Sequence, residues 1–213
     1  MKRYLLALLI FILAVSLVTA GAGCGGGTAQ RTVEIPVGWE LFDSDEFELY
    51  LPEQWEGGTE DELQDVIEIF KEEGQTELAS QVEAGKGYIT FWGYDSETIS
   101  SDALTNVNIA SQSASSISLN QYMEIVYDQM ADQYEQMGYS FNILEQDVVS
   151  LGSYKEVGRT LVSEEVMGFE VRVVQYVVKS GSVFWIITFI TSPEEFDQYI
   201  QTFDTVVGTF IIK

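Results

Sequence analysis

One cysteine and no histidine occur among the 213 residues of the chain, whereas aspartate and glutamate together number 34. The lack of histidine removes the Ser-His-Asp and Cys-His nucleophilic arrangements, the HExxH zinc site and histidine-ligated iron at once. The cysteine, Cys24, follows Lys2, Arg3, an apolar run over residues 4–20 and the small residues Ala20, Gly21, Ala22 and Gly23. That order reads as a lipoprotein signal peptide over residues 1–23, which is removed so that the Cys24 thiol carries acyl chains. Gly25, Gly26 and Gly27 then begin a flexible tether over residues 24–31. Gly21 departs from the Leu usual three residues before a lipidated cysteine. Two other readings stand beside this one: cleavage by an ordinary signal peptidase near Ala20 to Ala22, and an uncleaved anchor, the run being near the lower limit of about 17 residues for a spanning helix. All three place the remainder of the chain outside the cytoplasm, and the first anchors it to the cell membrane through lipid.

Carboxylates are the other chemically capable groups. Asp43, Asp45, Glu46 and Glu48 lie close together, and Glu60, Asp61 and Glu62 follow at the start of a helical pattern. Clustered carboxylates can supply the oxygen ligands that Ca2+ takes at about 2.3–2.6 Å, although the run at Asp43 lacks the Gly and the terminal Glu of an EF-hand loop at their offsets. A solvated acidic face is the plainer reading of both clusters. Two facing carboxylates about 5–9 Å apart could hydrolyse a glycoside, but with 34 acids no pair stands out. The formal net charge of −24 repels nucleic acid and anionic lipid headgroups. Cations, basic proteins and basic peptides are the partners such a surface attracts.

The elements that must position these groups begin beyond the tether, over residues 32–213, a length that suits one domain. Hydrophobic residues make up 46% of the chain and aromatics 13%, enough for a core without disulfides. Phe47, Leu49 and Leu51 alternate with Glu48 and Tyr50 as a half-buried strand that Pro52 ends. Thr59 and Glu62 form a capping box before Leu63, Val66, Ile67 and Phe70, with Gly74 as the stop, and residues 76–84 add a further turn or two of helix. Gly57 and Gly58 read as a turn. Strands follow at 88–94 and 106–110, separated by a polar loop, and a Ser-rich loop covers 111–116.

Ser118 and Gln121 cap the clearest helix, on which Tyr122, Met123, Val126, Tyr127, Met130, Tyr134 and Met137 recur at helical spacing before Gly138. A Tyr and Met stripe of this kind is more often core, and its alternative is a ligand groove lined by Tyr122, Met123, Val126, Tyr127 and Met130. Four strand patterns then follow at 141–151, 154–163, 169–179 and 183–191, with connections short enough to make neighbours antiparallel. In the third, Val171, Val173 and Val177 occupy one face and Val174, Tyr176 and Val178 the other, so both faces must be covered. Ser192, Pro193 and Glu195 open a last helix that buries Phe196, Tyr199, Ile200 and Phe203, and residues 209–212 return as a strand. The sum is an α+β fold, an antiparallel sheet with helices on both faces.

This order resembles the PsbP-like fold, an α/β/α sandwich shared by the photosystem oxygen-evolving accessory protein, a Ran-binding nuclear import factor and many bacterial lipoproteins. The matching stretches are Phe47-Glu48-Leu49-Tyr50-Leu51-Pro52-Glu53-Gln54-Trp55, the helix beginning at Ser118, the meander, and Trp185-Ile186-Ile187-Thr188-Phe189 before Ser192-Pro193-Glu194-Glu195-Phe196. Members of this fold are mostly binding or assembly proteins without catalysis. The resemblance therefore implies a non-enzymatic, membrane-anchored module that engages another envelope protein, with a calcium-binding domain as the alternative and a carboxylate hydrolase as the lesser one.

Overall fold

A computed structural model describes residues 33–213, except 73, 75, 77–78, 81–82, 84–86, 88, 100–102, 115 and 167–168. Among the described residues the strands and longer helices follow in the order β1 (Trp39–Asp43), β2 (Phe47–Pro52), β3 (Trp55–Gly58), α1 (Glu60–Glu72), β4 (Phe91–Asp95), β5 (Asn106–Ser113), α2 (Leu119–Met137), β6 (Ser140–Leu151), β7 (Tyr154–Val166), β8 (Phe169–Ser180), β9 (Val183–Thr191), α3 (Phe196–Thr209) and β10 (Ile211–Ile212). A short 3₁₀ turn, Ser96–Thr98, follows β4.

The strands form two antiparallel sheets rather than the single one expected. The larger runs β3-β4-β5-β9-β8-β7-β6, and the smaller runs β1-β2-β10. The second sheet was not legible because β1 has no clean alternation and β10 is only two residues long. β3 corrects the reading of Gly57 and Gly58 as a turn. Gly57, at φ 148°, pairs with Gly93, and a Cβ there would stand 2.2 Å from the Trp92 carbonyl oxygen. This glycine marks a close backbone approach between strands. β5 extends through Ser113 into the expected Ser-rich loop because Ser111, Gln112 and Ser113 pair with Trp185, Phe184 and Val183 of β9. The last helix begins at Phe196, later than Ser192; Ser192 Oγ accepts from the Glu195 N–H at 3.2 Å and so closes the preceding turn.

β8 explains the layering. Its residues Val171, Val173 and Val177 pack with α2, and Val174, Tyr176 and Val178 pack with α3 and β2. The α2 face also carries α1, whose Leu63, Ile67 and Phe70 cover Trp92 and Tyr94 of β4. On the other, Phe203, Val206 and Val207 of α3 join Phe47, Leu49 and Leu51 of β2 over Phe91, Ile187 and Phe189. On α2 the start and the stop follow the caps read from sequence. Ser118 and Gln121 form the reciprocal capping box on α2, and Gly138 ends the helix in the left-handed region at φ 76°.

Buried polar contacts set the spacing of these layers. The Tyr134 hydroxyl, on α2, donates to Glu164 Oε2 of β7 at 2.9 Å, while Glu164 Oε1 has no hydrogen-bond partner. Loss of water around this buried carboxyl favours its neutral form and pushes its pKa up to about 8, against a smaller lowering from the Tyr134 hydrogen bond. On the other side of the sheet, the β6–β7 hairpin meets α3 at Gly152. Its φ is 57°, and a Cβ would stand 2.0 Å from the Gly208 carbonyl oxygen.

Two stability outcomes follow from these contacts. Gly152→Ala combines a left-handed residue with a backbone clash and should lower unfolding free energy by about 2–4 kcal/mol in denaturant melts. Because Glu164 is raised from an ordinary carboxyl value, the folded chain binds the extra proton between that value and about 8. The favourable contribution is thus complete at acid pH and disappears as pH rises through about 8. Glu164→Gln should flatten that slope and, relative to the parent, gain stability by about 3–5 kcal/mol between pH 5 and pH 9. Parallel pH profiles for the parent and the variant would contradict it.

Candidate functional site

Asp43 stands at the end of β1 directly opposite Glu48 of β2, across a turn held by Ser44. Ser44 Oγ accepts from the Phe47 N–H at 3.2 Å. Asp43 is already paired with the Lys213 ammonium, which also donates to the Ser44 carbonyl at 2.6 Å. Asp45 and Glu46 are exposed, while Glu48 is half-buried opposite Ile211. For the calcium alternative, among the described residues no group of three or more Asp, Glu, His or Cys is placed to hold one ion. The cationic group beside Asp43 is instead the Lys213 ammonium. Glu60 opens α1, and the side chains of Glu60, Asp61 and Glu62 lie outside the described residues, as does Cys24 with its signal peptide and tether. The further turn of helix read at 76–84 also falls mostly outside them.

The α2 stripe is brought together, but as core. Tyr122, Met123, Val126, Tyr127 and Met130 are each at most 5% exposed. Tyr122 stacks on Phe184 with ring centroids 4.2 Å apart, and its hydroxyl donates to Gln112 Oε1 at 2.8 Å. These side chains fill the space between helix and sheet, so the stripe presents no open groove.

Beneath α2 lies a feature that the sequence reading missed. Gln146, Thr160, Gln175, Thr188 and Asn108 stand directly opposite one another across five neighbouring strands, β6, β7, β8, β9 and β5. The Tyr127 hydroxyl donates to Gln175 Oε1 at 2.7 Å, and Gln175 Nε2 donates to Thr188 Oγ1 at 3.1 Å. In β5, β8 and β9 the signal was available as single polar residues between apolar neighbours, Asn108, Gln175 and Thr188, but it acquires meaning only once the register aligns them. Burial raises the Tyr127 phenol well above its ordinary value, so the row stays uncharged.

Two further phenols act alike on the opposite face. Tyr176 of β8 donates to Asp204 Oδ1 of α3 at 2.7 Å, and Tyr199 of α3 donates to Asp95 Oδ2 of β4 at 2.6 Å. Desolvation, with the acid beside each, raises both phenols. Around Asp204 the Arg159 guanidinium also meets Glu145 at 3.2 Å and Asp147 at 3.1 Å. Each acid here is bound to a structural partner. Glu164, the buried acid with the strongest claim to proton transfer, is fully enclosed and its partner is Tyr134. Outward, among the described residues, lie Glu68 and Glu72 of α1, Glu124, Asp128, Asp132 and Glu135 of α2, and the open edge at β6.

No protein-family profile matches the chain, and no curated protein sequence does. Solved structures are similar in fold. The solution structure of cyanobacterial PsbP (CyanoP) from Synechocystis sp. PCC 6803 superposes with a TM-score of 0.57 at 12% identity, over 90% of this chain and 98% of that one. LpqN of Mycobacterium tuberculosis, described as involved in cell envelope biogenesis, gives a TM-score of 0.51 at 9% identity, over 78% of this chain and 83% of its own. The Saccharomyces cerevisiae Ran-binding protein Mog1p is also similar, at a TM-score of 0.40 and 14% identity over 84% and 87% of the two chains. With the strand order and the two-sided covering of β8 in hand, the first two comparisons identify the architecture: the chain has the PsbP-like α+β fold.

Proposed function

We propose that this protein is an extracytoplasmic lipoprotein, anchored to the cell membrane by acyl chains on Cys24, whose domain acts as a non-enzymatic binding or assembly module for another envelope protein. The observation that carries this reading is the use the interior makes of its reactive groups. Tyr127, Tyr134, Tyr176 and Tyr199 each join a helix to the large sheet through a hydroxyl hydrogen bond. The phenols and acids best suited to chemistry are thus spent on holding layers in place. A rigid scaffold with an acidic exterior suits recognition of a basic surface.

The N-terminal order of Lys2, Arg3, apolar run, small residues and Cys24 supports the anchor. Among the described residues no helix is long and apolar enough to cross a membrane. The cell-envelope role in the LpqN description belongs to that protein, and here it supports the compartment through fold likeness alone.

Two experiments test the two halves. Cys24→Ser should move the protein from the membrane fraction to the soluble fraction with an unchanged melting temperature; retention in the membrane would assign attachment to the apolar run itself. Capture of the native protein from crosslinked membranes should return one partner in near-stoichiometric amount, and repeated return of none would remove the binding-module reading.

A further inference from the structure

The seven-stranded sheet ends at β6, and among the described residues no strand covers its outer edge. The strand is 12 residues long and contains neither Lys nor Pro, two residues that commonly blunt an open edge. It leaves Ile143, Leu144 and Val148 exposed to 44%, 52% and 43%. Leu144 sits where the register shifts between Ile143 and Glu145. From Glu145 to Val149 the pairing with β7 is continuous, so the outer backbone groups of this stretch are presented in regular order.

The two faces of this edge differ in chemistry. Ile143 lies opposite Val162, which packs with α2, and Val148 lies opposite Gly158, whose α2-facing side meets Met123, so both share the α2 side of the sheet. Glu145 and Asp147 lie opposite Leu161 and Arg159 on the α3 side, where Arg159 meets both together with Asp204. One guanidinium against three carboxylates leaves that side negative. Residues 119–151, which comprise α2 and β6, hold Glu124, Asp128, Asp132, Glu135, Glu145 and Asp147 and no Lys or Arg. Edge-to-edge pairing of two copies would bring these like charges together.

We propose that the β6 edge receives an extended segment of a partner protein as an additional strand, in which apolar β-branched residues alternate with Lys or Arg. Its apolar residues cover Ile143 and Val148 on the α2 side, its basic residues meet Glu145 and Asp147 on the α3 side, and its backbone pairs with residues 145–149. This rests on the binding-module reading and assigns that module a surface and a class of partner.

The test is selection of a random peptide library of twelve-residue segments against the full-length protein in detergent, followed by hydrogen exchange with the enriched peptides. Enriched sequences should alternate β-branched residues with Lys or Arg and should protect the amides of residues 145–149. Binding should weaken with added salt and fall about tenfold or more in Ile143→Lys/Val148→Lys, which places charges of the blocking sign and kind on the edge. Ile125→Lys, at an equally open position on α2, should bind as the parent does. Val148→Lys alone carries the test if the double variant melts early. Enrichment without basic alternation, undiminished binding by the edge variants, or failure to enrich any peptide overturns the proposal. Protection of residues 145–149 by self-association assigns the edge to a second copy and overturns it as well. Peptide protection at another surface overturns the edge while leaving the binding-module reading intact; that reading falls separately, on the membrane capture above.

Discussion

β8 is apolar on both faces, and everything else in the architecture answers to that. A strand with Val171, Val173 and Val177 on one side and Val174, Tyr176 and Val178 on the other cannot stand at a surface; it requires a cover on each face and hydrogen-bonded strands at each edge. The meander supplies the edges, α2 covers one face, and α3 with the small sheet covers the other. Phenol hydroxyls then fix how each cover sits. Apolar contact alone is non-directional, whereas a bond such as Tyr127 to Gln175 or Tyr176 to Asp204 is met in one alignment of helix on sheet.

This arrangement also separates stability from recognition. The interior carries the directional contacts, and the exterior carries an excess of carboxylates that contribute little to the fold individually. Surface charge can therefore be suited to a partner without disturbing the packing. Asp43 illustrates the local exception, since its pairing with Lys213 fastens the segment after β10 to the β1–β2 hairpin.

Much of the fold was legible because periodicity and caps agreed. The alternation at Phe47, Leu49 and Leu51, the capping box of Ser118 and Gln121, and the stop at Gly138 are local signals that tertiary structure had no reason to override. β1, β3 and β10 were not legible, because short strands owe their existence to partners distant in the sequence; Gly57 looks like a turn until Gly93 is opposite it. The site was less legible than the fold for the same reason. The polar row from Gln146 to Asn108 is assembled from five strands, and no local window contains more than one of its members. The acids around Asp43 show the converse: they are close in sequence, yet the lysine paired with Asp43 lies 170 residues further along.

The pairing of β10 with β2 bears on the order of folding as well as on geometry. Ile211 and Ile212 lie against Glu48 and Phe47, and the Lys213 N–H donates to the Glu46 carbonyl. The smaller sheet is thus closed by a strand remote in sequence from the hairpin it joins. The β1–β2 hairpin forms between near neighbours, whereas docking of β10 must close a long loop before its contacts are gained. Until β10 docks, the layer over Phe91 and Trp185 lacks its third strand, so long-range pairing, and not the local hairpin, seals this side of the molecule.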